Sequence, residues 1–105
     1  MKLLTKELRK QLPPLYSQEH EEDPMVICKF FTPDSTWTWY AYEFDGEDTF
    51  FGLVYGFETE FGYFSLTELS EARGPLGRPI ERDLHFTPKR LSEVRKEHEH
   101  EHGNL

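Results

Sequence analysis

The chain has 105 residues, 36% hydrophobic and 15% aromatic, with 20 acidic against 12 basic side chains and a net charge of −8. That length predicts one domain with a single modest core filled by few but large apolar groups, and the acidic balance runs against binding a phosphate backbone. No apolar run approaches membrane-spanning length, and Met1-Lys2-Leu3-Leu4-Thr5 leads into charge and not into a signal-peptide apolar region, so no membrane association is expected.

Taken in order, the chain first offers a short amphipathic helix. Thr5 is placed as its N-cap, Leu4, Leu8 and Leu12 share a face, and Pro13-Pro14 stops it. Lys6, Arg9 and Lys10 make this helix basic. Ser17 to Asp23 (SQEHEED) reads as a loose acidic loop, and Met25 to Phe31 as a strand. Cys28, the only cysteine, lies in that strand as a small buried apolar group; with no second thiol to pair with, a reducing, cytoplasmic compartment is expected. Thr32-Pro33-Asp34-Ser35 then turns the chain.

The stretch from Trp37 to Leu66 holds both tryptophans and most of the other aromatics, and it predicts three antiparallel strands. Asp45-Gly46 alone is a strong hairpin signal, but a two-residue turn there would oppose Glu43 to Asp48. A four-residue loop, Asp45 to Asp48, avoids that. Tyr40, Tyr42, Phe44, Phe51, Leu53 and Tyr55 then share one face, and Trp37, Trp39, Ala41, Glu43, Phe50, Gly52 and Val54 the other. A second turn at Glu58-Thr59-Glu60 brings Phe61 and Tyr63 to the first face and Gly62 and Phe64 to the second. Neither face is simply polar, so both are expected to be at least partly covered.

Ser65-Leu66-Thr67-Glu68 is a capping box opening a helix that Gly74-Pro75 closes. Ile80, Arg82, Leu84 and Phe86 alternate with polar residues, as in a half-buried strand. Arg82 falls on the apolar side of that alternation, and Glu43 is its expected partner in a buried, structural ion pair. Thr87-Pro88 predicts the start of a last helix, docked by Leu91 and Val94. The fold class is thus α+β: a mainly antiparallel sheet of four to five strands with two to three short helices, over residues 1–96. Residues 97–105, EHEHEHGNL, show no apolar face and are expected to fray as an acidic, histidine-bearing tail.

Chemistry is sparsely signalled. His98 and His102 fall four apart and could share a metal ion if helical, though without supporting groups around them. The Asp45–Asp48 loop clusters carboxylates as a hard cation would require, but it lacks EF-hand spacing. No Walker loop, dinucleotide-binding glycine motif, CxxC or nucleophile elbow occurs, so no catalytic residue is assigned and no cofactor is expected.

Charge is the stronger signal. Between Lys29 and Arg73 there is no basic residue but nine carboxylates: Asp34, Glu43, Asp45, Glu47, Asp48, Glu58, Glu60, Glu68 and Glu71. Such a field favours a basic protein surface and disfavours direct nucleic-acid binding.

The run WTWYAYEFDGEDTFFGLVYGFETEFGYFSLTEL, preceded by MKLLTKELRKQLPPLY and followed by RGPLGRPIERDLHFTP, resembles a family of small bacterial proteins of unknown function found chiefly on plasmids and integrative elements. The resemblance spans about residues 1–95 and leaves the EHEHEH tail outside. It implies a mobile-element accessory role and supplies no catalytic residue. The sequence therefore points to a non-catalytic cytoplasmic accessory protein that binds a partner protein through Asp45, Glu47, Asp48, Glu58 and Glu60, with DNA mimicry as a variant. A metal-dependent enzyme using the same carboxylates is the alternative.

Overall fold

A computed structural model describes residues 2–102. The elements follow the order α1 (Lys6–Gln11), β1 (Met25–Val26), β2 (Cys28–Phe31), β3 (Thr38–Phe44), β4 (Thr49–Tyr55), β5 (Thr59–Ser65), α2 (Leu66–Glu71), β6 (Glu81–Arg82), β7 (Lys89–Arg90) and α3 (Leu91–Glu101). Five strands form one antiparallel sheet in the order β5-β4-β3-β2-β6, and β1 pairs with β7 in a separate two-stranded ribbon. The class is α+β, as expected from a run of consecutive strands followed by a helix, a strand and a helix.

Both faces of the sheet are covered in part. Leu3, Leu4, Leu12, Phe30, Ala41, Phe44, Phe50, Phe64, Leu69 and Ile80 fill one side, which brings in the N-terminal segment and α2. Phe50 is fully buried at its centre, with ring centroids 4.6 Å from Phe44, 5.3 Å from Phe64 and 5.4 Å from Phe30. Val26, Tyr40, Tyr42, Leu53, Leu91 and Val94 fill the other side, under α3. Aromatic and aliphatic groups together thus form a packed cluster on each side of the sheet.

The β3–β4 hairpin leaves Asp45–Asp48 between its strands, and Glu43 lies opposite Phe51 and not Asp48. Its register follows the four-residue loop through Thr38↔Tyr55 and Ala41↔Gly52, then shifts by one to Glu43↔Phe51 and Phe44↔Phe50. Tyr42 is the extra residue of this β-bulge. A one-residue shift exchanges faces. Contrary to the strict alternation read from the sequence, Phe44 joins the Phe50 core, and Glu43 turns to the α3 side beside Tyr42. At Gly52, opposite the bulge, an added Cβ would collide with the Tyr40 carbonyl, and at Gly56 it would lie 2.5 Å from the Trp37 ring.

Both anticipated caps form: the Leu8 N–H donates to Thr5 Oγ1, and the Glu68 N–H donates to Ser65 Oγ. Other boundaries move. The turn expected at Glu58–Glu60 lies earlier, so that Thr59 and Glu60 already pair with Tyr55 and Val54. The strand expected over residues 80–86 stops at Arg82, leaving Leu84 exposed. The last helix begins at Leu91 and not at Pro88, because Lys89 and Arg90 pair with β1. Asp23 supplies its cap from a distance, accepting from the Ser92 N–H (2.8 Å) and hydroxyl (2.7 Å).

Nor does the helix fray at His98. That ring is 5% exposed, stacks on Tyr55 at 3.6 Å, and meets the Tyr40 hydroxyl through Nδ1 at 2.9 Å. Residues 103–105 of the expected tail lie outside the described residues.

Candidate functional site

Glu43 lines a concavity beside β5. It is 3% exposed, and each carboxylate oxygen accepts one backbone N–H at 2.8 Å, Oε1 from Tyr16 and Oε2 from Gln18. A buried carboxylate satisfied by two such donors is a strong anchor. It holds a tight turn in which Tyr16 adopts the left-handed conformation (φ 70°), at an intrinsic cost of ~1–2 kcal/mol for a non-glycine residue. The SQEHEED segment, expected to be loose, is thereby pinned at one end by Glu43 and at the other by Asp23.

This corrects the expected Glu43–Arg82 pair. The bulge sends Glu43 to the α3 side, whereas Arg82 pairs in register with Phe30 and points to the opposite side. There Arg82 Nη1 donates to the carbonyls of Lys2 (2.6 Å) and Leu3 (2.9 Å), tying the N-terminal segment to β6.

Between the pinned acidic loop and β5 runs a groove of ≈ 580 Å³. Its rim carries Glu19, Glu21 and Glu22; its floor is Tyr42, Phe51, Phe61 and Tyr63, with Tyr16 at the side. Tyr16, Phe61 and Tyr63 are 60%, 47% and 57% exposed, unusually open for aromatic groups held on ordered backbone. A second concavity of ≈ 400 Å³ lies across β5 on the other face of the sheet, between Trp37, Trp39, Val54 and Phe64, with Glu58 and Glu60 on its rim. No Lys or Arg lines either groove among the described residues. Acid beside open aromatic surface is the chemistry that receives an ammonium or guanidinium group, through charge and the ring faces together.

The residues singled out from the sequence are distributed differently. Asp45, Glu47 and Asp48 sit in the β3–β4 loop at one end of the sheet, and Glu58 and Glu60 at the other. The seven residues of β4 separate these ends by about 20 Å. Asp45 Oδ1 accepts the backbone N–H groups of Glu47 (2.8 Å), Asp48 (2.8 Å) and Thr49 (3.0 Å), which hold its carboxyl below the usual aspartate range. Asp48 accepts from the hydroxyls of Ser65 (2.5 Å) and Thr67 (2.7 Å) and from the Thr67 N–H (2.8 Å), and these hydrogen bonds likewise depress its pKa. Arg9 donates to the Gly46 carbonyl and covers the Phe44 ring, bringing a positive charge to the same loop. These two aspartates therefore shape the loop, with Oδ1 of Asp45 and both oxygens of Asp48 engaged. Glu58 and Glu60 are exposed and border the second groove.

His98 and His102 do lie together, with rings stacked at 4.1 Å and 20° apart. Stacking places the rings face to face, and His98 Nδ1 already meets the Tyr40 hydroxyl. Among the described residues no group of three or more His, Cys, Asp or Glu is placed to hold a metal ion. Burial, followed by the neighbouring His102 and Lys29, pushes the His98 pKa down to about 4. Burial also raises the Cys28 thiol to about 12, so this cysteine is an inert core group, as the sequence implied.

The sequence profile of a protein family described as "Protein of unknown function (DUF2958)" matches residues 3–104. The chain belongs to that family. The DUF2958 match takes in nearly the whole chain, including the EHEHEH segment that the shorter resemblance left outside, which agrees with His98 being part of the packed structure. No curated protein and no solved structure matches the chain. Among the described residues of this DUF2958 protein, no helix is long and apolar enough to cross a membrane.

Proposed function

We propose that this protein is a non-catalytic, cytoplasmic binding module that engages a basic segment of a partner protein, in the accessory role on a mobile element that the sequence resemblance implies. The observation that carries this reading is the pairing of open or half-buried aromatic rings with carboxylates along both sides of β5, with no lysine or arginine lining either groove among the described residues. Tyr16, Phe61 and Tyr63 meet Glu19, Glu21 and Glu22 on one face, and Trp37 and Trp39 meet Glu58 and Glu60 on the other. Surface carboxylates alone would serve solubility. Exposed aromatics beside them are costly to leave in water and become useful when a cationic side chain covers them.

The DNA-mimic variant draws less support, since Asp48 spends both oxygens, and Asp45 its Oδ1, on the protein itself. The same commitment counts against a cation held by that loop. Affinity capture from a lysate of the host cell, eluted in rising salt, tests the proposal against a Glu19→Gln, Glu21→Gln, Glu22→Gln triple variant. A partner released by salt and lost in the variant supports it. A partner captured equally by both forms contradicts it.

A further inference from the structure

The two edges of the five-stranded sheet are unequal. β6 closes one edge with only two residues, a length that offers little to an added strand. β5 forms the other edge with seven residues, TEFGYFS, paired to β4 without a bulge along its whole length. It contains no proline and no lysine, the residues that ordinarily blunt an exposed edge.

Backbone direction along β5 follows from its two ends. The Gly56 N–H donates to the Glu58 carbonyl, and the Leu66 N–H donates to the Asp48 carbonyl. Hydrogen-bonded pairs alternate in an antiparallel ladder, so Glu60, Gly62 and Phe64 turn their backbone groups toward β4. Thr59, Phe61, Tyr63 and Ser65 turn theirs outward. Gly62 leaves open space above the sheet, with nothing within 4 Å of where a Cβ would stand. The edge is thus flanked by a groove on each face.

We infer that β5 is a strand-addition site: an extended, lysine- or arginine-bearing segment of a partner pairs with the outward backbone groups of Thr59, Phe61, Tyr63 and Ser65. Side chains of an added strand alternate between faces. One set enters the aromatic groove under Glu19, Glu21 and Glu22, and the other enters the trough beside Trp39 and Phe64. The occupant is fixed by charge. A second copy of this chain would bring another net charge of −8 to an edge already ringed by carboxylates, whereas a basic strand would neutralise it. This inference rests on the binding-module reading and adds its geometry.

The test uses two probes: a short, end-capped peptide alternating lysine with valine, and the same peptide N-methylated on the amides that would face β5. Titration calorimetry gives affinities, and amide hydrogen exchange reports the N–H groups of Phe61 and Tyr63. The expected result is binding of the first peptide with slowed exchange at both amides, and affinity about tenfold weaker or worse for the methylated form, which has lost its donors. Tyr63→Pro, which removes an outward N–H without breaking the β4 ladder, should weaken binding well beyond Tyr63→Thr, which lacks the ring but keeps the donor. Equal binding of both peptides without slowed exchange would overturn strand addition while leaving an acidic binding surface intact. Binding of neither peptide would overturn both readings. Protection of Phe61 and Tyr63 that appears with protein concentration alone would assign the edge to a second copy, and would also overturn the proposal.

Discussion

Glu43 is the residue on which the site depends. Replacing it by Gln keeps the shape but turns one acceptor into an amide facing a backbone N–H, and it removes the charge from both hydrogen bonds. Glu43→Gln should destabilise the protein by ~1–3 kcal/mol in a urea titration, and it should release the Tyr16–Gln18 turn. Hydrogen exchange at the Tyr16 and Gln18 amides would then rise before global unfolding. His98 makes a second residue-scale claim. Its folded pKa, about 4, lies below its ordinary value of 6.5. The unfolded chain therefore binds the proton first as the solution is acidified. The stability contribution of neutral His98 is complete above about pH 6.5 and is lost progressively as pH falls toward 4. In urea midpoints measured across this window, His98→Gln should flatten the slope, since a glutamine can still accept the Tyr40 hydroxyl proton but does not titrate.

Elements were legible in the sequence where their causes are local. Thr5 and Ser65 stand where their helices need a side-chain acceptor, and the two-residue period of Trp39, Ala41 and Phe50 against Tyr40 and Leu53 places them on the correct faces. What stayed hidden depends on contacts distant in sequence. The bulge at Tyr42 adds one residue and reverses Glu43 and Phe44, and no propensity marks it. The start of α3 is set by Asp23, sixty-nine residues before Ser92, and so could not be read from Thr87-Pro88. Leu91, Val94 and His98 do form an i, i+3, i+7 stripe. Treating histidine only as a polar group concealed that stripe. Asp48 joins two elements directly, since the Ser65 hydroxyl that caps α2 donates to it in turn. Asp48→Ala should loosen this junction, seen as faster exchange at the Thr67 and Glu68 amides with little change across β2–β3.

At the scale of the whole molecule, charge and edge belong together. The density of acid in SQEHEED was plain from the sequence, but its place beside β5 was not, because that follows from the Glu43 anchor across twenty-seven residues. An open edge seven residues long would invite copies of the chain to pair, and the carboxylates around it oppose this. Glu58→Gln with Glu60→Gln should therefore raise self-association, measured by light scattering at low ionic strength, where the repulsion is least screened. The most direct measurement of the central claim is a backbone-amide NMR titration of the protein with the alternating lysine–valine peptide. Chemical-shift changes centred on residues 16–22 and 59–65, diminishing as salt is added, are the expected result. Changes confined to residues 45–48, or none at all, would contradict it.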